Sequence, residues 1–159
     1  MKRRPPQLSL LLDAAAPDAG ERWRDGASVE YLGGRLLLCL DTACREALLD
    51  TATLHLPLPP EATPRQIQDA AEAWLRRQAE RVIGAELVMA ARRAARPVPA
   101  HALSFAARAG WTQDDGKGGL RFHWRLIEQS EEVIGQVVRR ALEALAPVVT
   151  ESDLFAVAA

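Results

Sequence analysis

The sequence has few of the residues on which many protein functions depend. Its 159 residues include two cysteines and three histidines, and aromatic side chains make up 5% of the chain. Cys39 and Cys44 lack CxxC spacing, so we interpret them as reduced, structural thiols and not as a disulfide or a ligand pair. This interpretation favours a cytoplasmic protein. A net charge of −1 provides no broad positive field, so neither nucleic acid nor an anionic membrane is a favoured partner.

Long apolar runs are also absent. No apolar stretch approaches the ~20 residues that a membrane-spanning helix needs, and Asp13 and Pro17 follow the N-terminal run QLSLLL before a signal-peptide core is complete. Hydrophobic residues make up 48% of the chain and charged residues 26%, which is typical of a folded globular protein. We therefore expect one soluble domain spanning residues 1–159, with residues 1–25 partly flexible.

Three segments in the first half of the chain have the patterns of β-strands. Residues 7–13, QLSLLLD, predict a first strand. The stretch SVEYLGGRLLLCLD predicts a hairpin in which Gly33 and Gly34 form the two-residue turn, because glycine readily adopts the positive φ angles of such a turn. Residues 51–58 alternate polar and apolar side chains until Pro57 and Pro59 end the strand, which predicts an edge strand or a final turn.

A long helix is predicted next. Thr63 and Pro64 form a typical helix start, and apolar residues then recur at helical spacing. The pattern continues from Arg65 to about Arg96, and the arginines at its end complement the helix dipole. After it, HALSFAARAGW predicts a short strand, and DDGKGG predicts a tight turn without the alternating ligands of a calcium loop. LRFHWRLI is predicted to be the return strand.

The last predicted helix begins at Ser130, whose hydroxyl and the acidic residues after it suit the positive end of a helix dipole. Its apolar stripe comprises Ile134, Val137, Val138, Ala141, Leu142 and Leu145. Arg139 and Glu143 lie four residues apart on the other side, so we expect a solvated ion pair. The order of strands, long helix, hairpin and last helix predicts an α+β fold.

Three stretches carry a resemblance to a known family. They are YLGGRLLL, AEAWLRRQAERVIGAELVMAARR and GWTQDDGKGGLRFHWRLIEQSEEVIGQVV. The most specific landmarks are Trp111, the glycine-containing turn and HWRL at 123–126. On these residues the chain resembles the YgjP-like family of small zinc metallopeptidases, relatives of the SprT-like and other zincin domains. The resemblance implies a zincin-like fold, with an antiparallel sheet, an N-terminal hairpin, one long helix and a second helix in the place of the metal-binding helix.

The metal-binding motif of that family is missing here. Family members carry HExxH on the second helix, where two histidines bind zinc and the glutamate serves as general base. The resemblance assigns these positions to Arg140, Ala141 and Ala144, and the third histidine to a position near Thr150 or Glu151. A protonated arginine has no lone pair for a metal, and alanine has neither a ligand atom nor a base. We therefore predict no metal, no cofactor and no catalytic residue at this helix.

These observations lead to one main hypothesis and two alternatives. The main hypothesis is a pseudoenzyme that binds a protein or peptide partner at a sheet edge or in a candidate cleft. The candidate cleft comprises Trp111, His123, Trp124, Arg125, Arg140, Glu143 and Glu151, with His123 in the place of an asparagine of the family. One alternative is an active metal-dependent hydrolase whose zinc is held by displaced ligands such as His123, Glu143 or Glu151. The other is a structural subunit of a larger assembly.

Overall fold

The computed structural model describes residues 18–107 and 110–146 of the chain. In chain order the elements are α1 (Ala19–Arg22), β1 (Ser28–Tyr31), β2 (Gly34–Leu40), β3 (Leu48–Asp50), β4 (Thr53–Leu56), α2 (Pro64–Arg93), β5 (His101–Ser104), β6 (Thr112–Asp114), β7 (Leu120–His123), a 3-10 helix (Trp124–Glu128) and α3 (Glu131–Ala144). The strand predicted at residues 7–13 lies outside the described residues.

The strands form two small mixed sheets. One has the order β1-β2-β4-β3, and the other has the order β5-β7-β6. The pairs β2–β4 and β5–β7 are parallel, whereas β3–β4 and β6–β7 are antiparallel. The α+β class is therefore confirmed, but the prediction of an antiparallel sheet is wrong. Parallel neighbours need a crossover connection. Here β3 lies in the connection between β2 and β4, and β6 lies in the connection between β5 and β7. The local sequence pattern does not show that the strands on either side of such a connection are parallel.

The predicted N-terminal hairpin is present, with its turn one residue earlier than expected. β1 and β2 are hydrogen-bonded neighbours, and the turn residues are Leu32 and Gly33, with φ angles of 47° and 77°. Both backbone amides of the turn bind the 3-10 helix: Leu32 N–H donates to the Ile127 carbonyl (2.8 Å) and Gly33 N–H to the Glu128 carbonyl (3.1 Å). The turn is thus held from outside, which compensates for a positive φ at leucine.

β4 occupies an inner position that the sequence did not predict. Residues 51–58 were expected to form an edge strand or a final turn, but β4 lies between β2 and β3, and Leu54 and Leu56 are fully buried. The reason is the short strand β3, which pairs with β4 in antiparallel register from Leu48 opposite His55 onward. Pro57 and Pro59 follow the last residue of β4, as predicted, so they remove no hydrogen bond from the sheet.

The start of α2 follows the prediction closely. Gln66 N–H donates to Thr63 Oγ1 (3.2 Å), and Thr63 N–H donates to Gln66 Oε1 (2.9 Å), which is a reciprocal capping box. The helix ends at Arg93, three residues before the predicted end. Beyond it, Ala95 has a φ of 51°, and Arg96 N–H donates to the Ala91 carbonyl (3.1 Å), which closes the last turn.

The side chain of Arg96 has a different role from the one predicted. Its guanidinium donates to the carbonyls of Leu142 (2.9 Å) and Ala146 (3.1 Å). It therefore caps carbonyl groups at the end of α3, where a cation also suits the negative end of the helix dipole. Arg96, which follows α2, thus stabilises the end of α3.

The segment after β7 corrects a second strand prediction. LRFHWRLI was expected to be one strand, but β7 ends at His123 and the next five residues form the 3-10 helix. The last helix agrees with its prediction, since Ser130 Oγ accepts a hydrogen bond from Val133 N–H (3.3 Å). Along α3 the predicted stripe is buried at Ile134, Val138, Ala141, Leu142 and Leu145, and half-buried at Val137.

The described residues form two compact units. The first contains the described residues up to Val29 together with Leu37–Ala71, and its core includes Trp23, Leu38, Leu54, Leu56 and Ile67. The second contains Glu30–Leu36 and the described residues from Glu72 onward, and its core includes Ile83, Leu87, Phe122, Trp124, Leu126, Ile127, Ile134 and Val138. The single domain over residues 1–159 stays a prediction. Within the described ranges, none of the helices combines the length and the apolarity that a bilayer span requires.

Asp115 organises the turn between β6 and β7. Its Oδ1 accepts hydrogen bonds from the backbone amides of Lys117 (2.7 Å) and Gly119 (2.8 Å). These two bonds to the charged form lower the pKa of Asp115 below its ordinary value. In the same way, Asp114 Oδ1 accepts a hydrogen bond from Gly116 N–H (2.7 Å). The turn was predicted as a plain turn, and in it aspartate side chains accept hydrogen bonds from backbone amides.

We expect Gly33→Ala to lower the free energy of unfolding more than Gly26→Ala does. Both glycines have a φ of 77°, so each substitution carries the strain of a left-handed alanine, about 1 kcal/mol. A Cβ at Gly33 would also lie 3.1 Å from Ser130 Cβ, whereas a Cβ at Gly26 would meet nothing within 4 Å. Urea unfolding of both variants measures the difference, which we expect to be about 1 kcal/mol or more. Equal losses would show that the approach to Ser130 carries no cost.

We expect Asp115→Ala to destabilise the protein at neutral pH and to do so less as the pH falls. The folded state lowers the pKa of Asp115, so its stabilising effect is present above the unfolded pKa, about 3.9, and is lost as the pH falls through the folded pKa. Urea unfolding at neutral and acidic pH measures this dependence. Asp115→Asn is the control: it keeps an acceptor oxygen but cannot titrate. A pH-independent difference between the alanine variant and the native chain would contradict the assignment.

Candidate functional site

His123 stands at the junction between β7 and the 3-10 helix. Its Nδ1 accepts a hydrogen bond from Arg125 N–H (3.2 Å), and its Nε2 lies 3.1 Å from the Ala106 carbonyl oxygen. Because Nδ1 accepts an N–H, the proton of the neutral ring is on Nε2, which donates to Ala106. The side chain is buried. Both ring nitrogens are therefore engaged in structural hydrogen bonds, and neither offers a free lone pair to a metal or to a substrate proton.

Aromatic rings and one guanidinium surround this histidine. The Trp111 ring meets His123 edge-on, with 6.3 Å between centroids, and the Trp124 ring lies nearly parallel to it at 6.5 Å. The Arg125 guanidinium lies 5.0 Å from the centroid of Trp124 and donates to Glu128 Oε1 (3.1 Å). Trp124 is buried, whereas Trp111 is 43% exposed. The structure therefore brings together four residues of the candidate cleft.

Two further residues belong to this cluster and were missed from the sequence. The Arg76 guanidinium lies 5.1 Å from the Trp124 centroid and 5.0 Å from the centroid of Phe105. It also forms an ion pair with Glu72 (3.0 Å). The spacing of Glu72 and Arg76 on a helix was a visible signal for that ion pair. The stacking on rings distant in the sequence had no local signal.

The remaining cleft residues do not join this cluster. Arg140 and Glu143 are exposed, and in the part of the chain that the structure describes they make none of the hydrogen bonds, ion pairs or ring contacts of the cluster. An ion pair between Arg139 and Glu143 was predicted, but none is formed among the described residues. Glu151 lies outside the described residues.

The positions that the family resemblance assigns to the HExxH motif differ in their surroundings. Ala141 is buried on the apolar face of α3, while Arg140 and Ala144 are exposed. None of the three side chains supplies a lone pair or a base. The residues at these positions therefore do not fit a zinc ion.

The described residues offer no replacement ligand set. Within residues 18–107 and 110–146, no group of three or more His, Cys, Asp or Glu side chains is placed to hold a metal ion. His55 Nδ1 lies 3.4 Å from Asp41 Oδ2, which is too long for a strong hydrogen bond, and His101 lies against Gly84 of α2. A catalytic zinc needs three protein ligands, and these histidines lie in separate surroundings.

The thiol of Cys44 is also unsuited to catalysis. Its Sγ donates to the Asp41 carbonyl (3.0 Å), and desolvation, followed by the charge of Asp41, raises the pKa of Cys44 above its ordinary value. A raised pKa reduces the population of thiolate, which is the nucleophilic and metal-binding form. The geometry is consistent with a structural thiol.

A family model described as YgjP-like, metallopeptidase domain matches residues 7–139. The chain belongs to the YgjP-like family. No curated protein and no solved structure matches it. The matched part of this YgjP-like chain includes the hairpin, the long helix and the landmarks from Trp111 to Leu126. The match ends one residue before Arg140, which is the first of the positions that the resemblance assigned to the zinc-binding motif.

The cluster of this YgjP-like chain is suited to binding and poorly suited to proton transfer. Its imidazole is fixed by two hydrogen bonds, and its carboxylates, Glu72 and Glu128, are paired with arginines. Rings and guanidinium groups remain as the parts that can contact another molecule. Such groups supply much of the free energy of association at protein interfaces.

We expect His123→Asn to be more stable than His123→Ala. An asparagine oxygen can replace Nδ1 as the acceptor for Arg125 N–H, because Asn is a favourable helix cap. The asparagine variant keeps this cap but loses the bond to Ala106, about 1 kcal/mol, and the ring packing against Trp111 and Trp124. The alanine variant has these two losses and also loses the cap, so we expect it to be less stable than the asparagine variant by about 1 kcal/mol. Urea unfolding of the three proteins measures these differences. An asparagine variant no more stable than the alanine variant would show that the Nδ1 cap is unimportant.

Proposed function

We propose that this chain is a catalytically inactive YgjP-like domain with a zincin-like frame, and that it acts in the cytoplasm by binding a protein or peptide partner. One observation carries the proposal: the positions that the resemblance assigns to two zinc-binding histidines and a general base hold Arg140, Ala141 and Ala144. None of these side chains can ligate zinc or accept a proton at neutral pH.

The state of α3 supports the inactive interpretation. Ser130 caps the helix, and Ile134, Val138 and Leu142 bury its apolar face. These interactions need no metal, so the helix stays formed with its chemistry removed. Without a bound metal, a water molecule at this helix is not acidified, and the general base that would receive its proton is also missing.

The alternative of an active hydrolase with displaced ligands has less support. Its best candidate, His123, uses both ring nitrogens in hydrogen bonds to Arg125 and Ala106. Glu143 is a single exposed carboxylate on α3, and Glu151 lies outside the described residues. A metal site would have to be built from ligands that share no common centre in the described part of the chain.

Binding has support from the strands and from the cluster. β5 and β6 are the edges of their sheet, and an extended peptide can add to such an edge through main-chain hydrogen bonds. Trp111 and Arg125 lie at the same end of that sheet, and Trp and Arg are frequent energetic centres of interfaces. The free thiols Cys39 and Cys44 support the cytoplasmic location, where thiols stay reduced.

We expect the purified protein to contain far less than one zinc ion per chain and to unfold at the same temperature with and without a chelator. A structural or catalytic metal would add binding free energy to the folded state, and its removal would lower the melting temperature. Elemental analysis and thermal unfolding provide the two measurements. We also expect no turnover of unstructured peptides above the rate in buffer. Stoichiometric zinc, or a hydrolysis rate that disappears in folded His123→Ala, would refute the inactive assignment.

A further inference from the structure

The rings and guanidinium groups around Trp124 form a continuous stack. Phe105, Arg76, Trp124 and Arg125 follow one another, with each guanidinium 5.0 to 5.1 Å from the centroid of a neighbouring ring. His123 joins this stack to Trp111 through its contacts with both tryptophans. We call the solvent-accessible members of the stack, Phe105, Trp111, Arg76 and Arg125, the stacked patch. All of them belong to the second compact unit.

The charges of the stacked patch are unequally accessible. The Arg76 side chain is 42% exposed and its partner Glu72 12%, and the Arg125 side chain is 41% exposed and its partner Glu128 21%. The carboxylates therefore lie deeper than the guanidinium groups that they neutralise. An approaching molecule meets positive charge first, although each arginine forms an ion pair.

The arginines also keep hydrogen-bonding capacity. The ion pair of Arg76 joins one terminal nitrogen to Glu72 Oε2, and that of Arg125 joins one terminal nitrogen to Glu128 Oε1. A guanidinium has five N–H donors in a planar fork that suits carboxylates. Stacking on Trp124 restricts the guanidinium groups of Arg76 and Arg125. Binding of a ligand carboxylate would therefore cost less conformational entropy.

Two large aromatic side chains are exposed at the ends of the stack. Phe105 is 56% exposed and directly follows β5, and Trp111 directly precedes β6. β5 and β6 are the two edges of the three-stranded sheet. An extended chain that pairs with either edge would therefore pass one of these rings, where its own apolar side chain can be buried.

We propose that the stacked patch binds an extended acidic peptide segment that carries an aromatic side chain. The peptide carboxylates pair with Arg76 and Arg125, and its aromatic ring packs on Trp111 or Phe105. Charge complementarity supports this partner, since the accessible charges of the patch are positive and its apolar groups are aromatic. The inference rests on the proposed binding function and specifies the surface and the chemistry of the partner.

Trp111 provides a direct reporter for the test. Trp23, Trp74 and Trp124 are buried, so quenching of tryptophan fluorescence by acrylamide reports mainly on Trp111. The probe is a short peptide in which aspartates and glutamates flank one phenylalanine. We expect this peptide to bind by fluorescence anisotropy, to protect Trp111 from acrylamide and to bind more weakly as salt is added. A peptide with lysine in place of each acidic residue is the comparison.

Matched variants locate the binding surface. We expect Trp111→Ala and Arg125→Gln each to weaken binding of the acidic peptide by about ten-fold or more. Val98→Ala removes an apolar side chain of similar exposure that lines a different cavity, and Arg81→Gln removes the same charge from an arginine that donates hydrogen bonds to Gln78. Both controls should stay within about two-fold of the native affinity. If Arg125→Gln fails to fold, Arg125→Lys keeps the charge and removes the planar fork, with the same expected direction.

Several results would overturn the inference. They are no binding of the acidic peptide, equal binding of the lysine peptide, or equal binding by the Trp111 and control variants. Protection of Trp111 by self-association or by single-stranded nucleic acid, in preference to the acidic peptide, would assign the patch to another partner. Zinc content and peptide hydrolysis are measured on the same preparation. A failure of the proposed inactive function would appear in those two measurements, and a failure of the stacked patch would appear in the binding data.

Discussion

The double hydrogen bonding of His123 is the constraint on which the rest of the site depends. One ring nitrogen caps the 3-10 helix at Arg125, and the other holds the segment after β5 through Ala106. The cap ends β7 and turns Trp124 into the core of the second unit. Once Trp124 is placed, its ring faces are available to Arg76 and Arg125. The same hydrogen bonds that organise the cluster occupy both nitrogens of its imidazole.

The architecture and the chemistry of this YgjP-like chain are separable because different atoms support them. The helix α3 depends on the cap at Ser130 and on buried aliphatic side chains, while the hairpin turn is held by backbone bonds to the residues just before that cap. Arg140 and Ala144 take no part in this packing, and Ala141 contributes to it only through its methyl group. A frame of this kind tolerates the loss of metal ligands without losing its core, because Arg140 and Ala144 are exposed and Ala141 adds to the apolar face.

Local signals in the sequence were sufficient for the starts of α2 and α3 and insufficient for the sheets. Thr63 and Ser130 determine helix starts through bonds to residues three positions away, so both starts were predictable. The parallel pairing of β2 with β4 and the short strand β3 depend on contacts between separate segments, which no local pattern encodes. At the site, Trp111, His123, Trp124 and Arg125 were recognised as neighbouring landmarks. Arg76 and Phe105 were not, because only the folded chain places them against Trp124.

The membership of the family rests on a part of the sequence that does not include the positions assigned to the zinc ligands. The family match ends at residue 139, so it describes the frame and stops where the resemblance places the first zinc ligand. What remains accessible at the site is a set of aromatic faces and guanidinium forks whose counter-charges lie deeper. Covering exposed aromatic surface with a partner lowers the free energy of the system. An arginine that is already ordered by stacking loses less conformational entropy on binding. Both terms favour association at this surface, so the proposed binding does not depend on metal ligands.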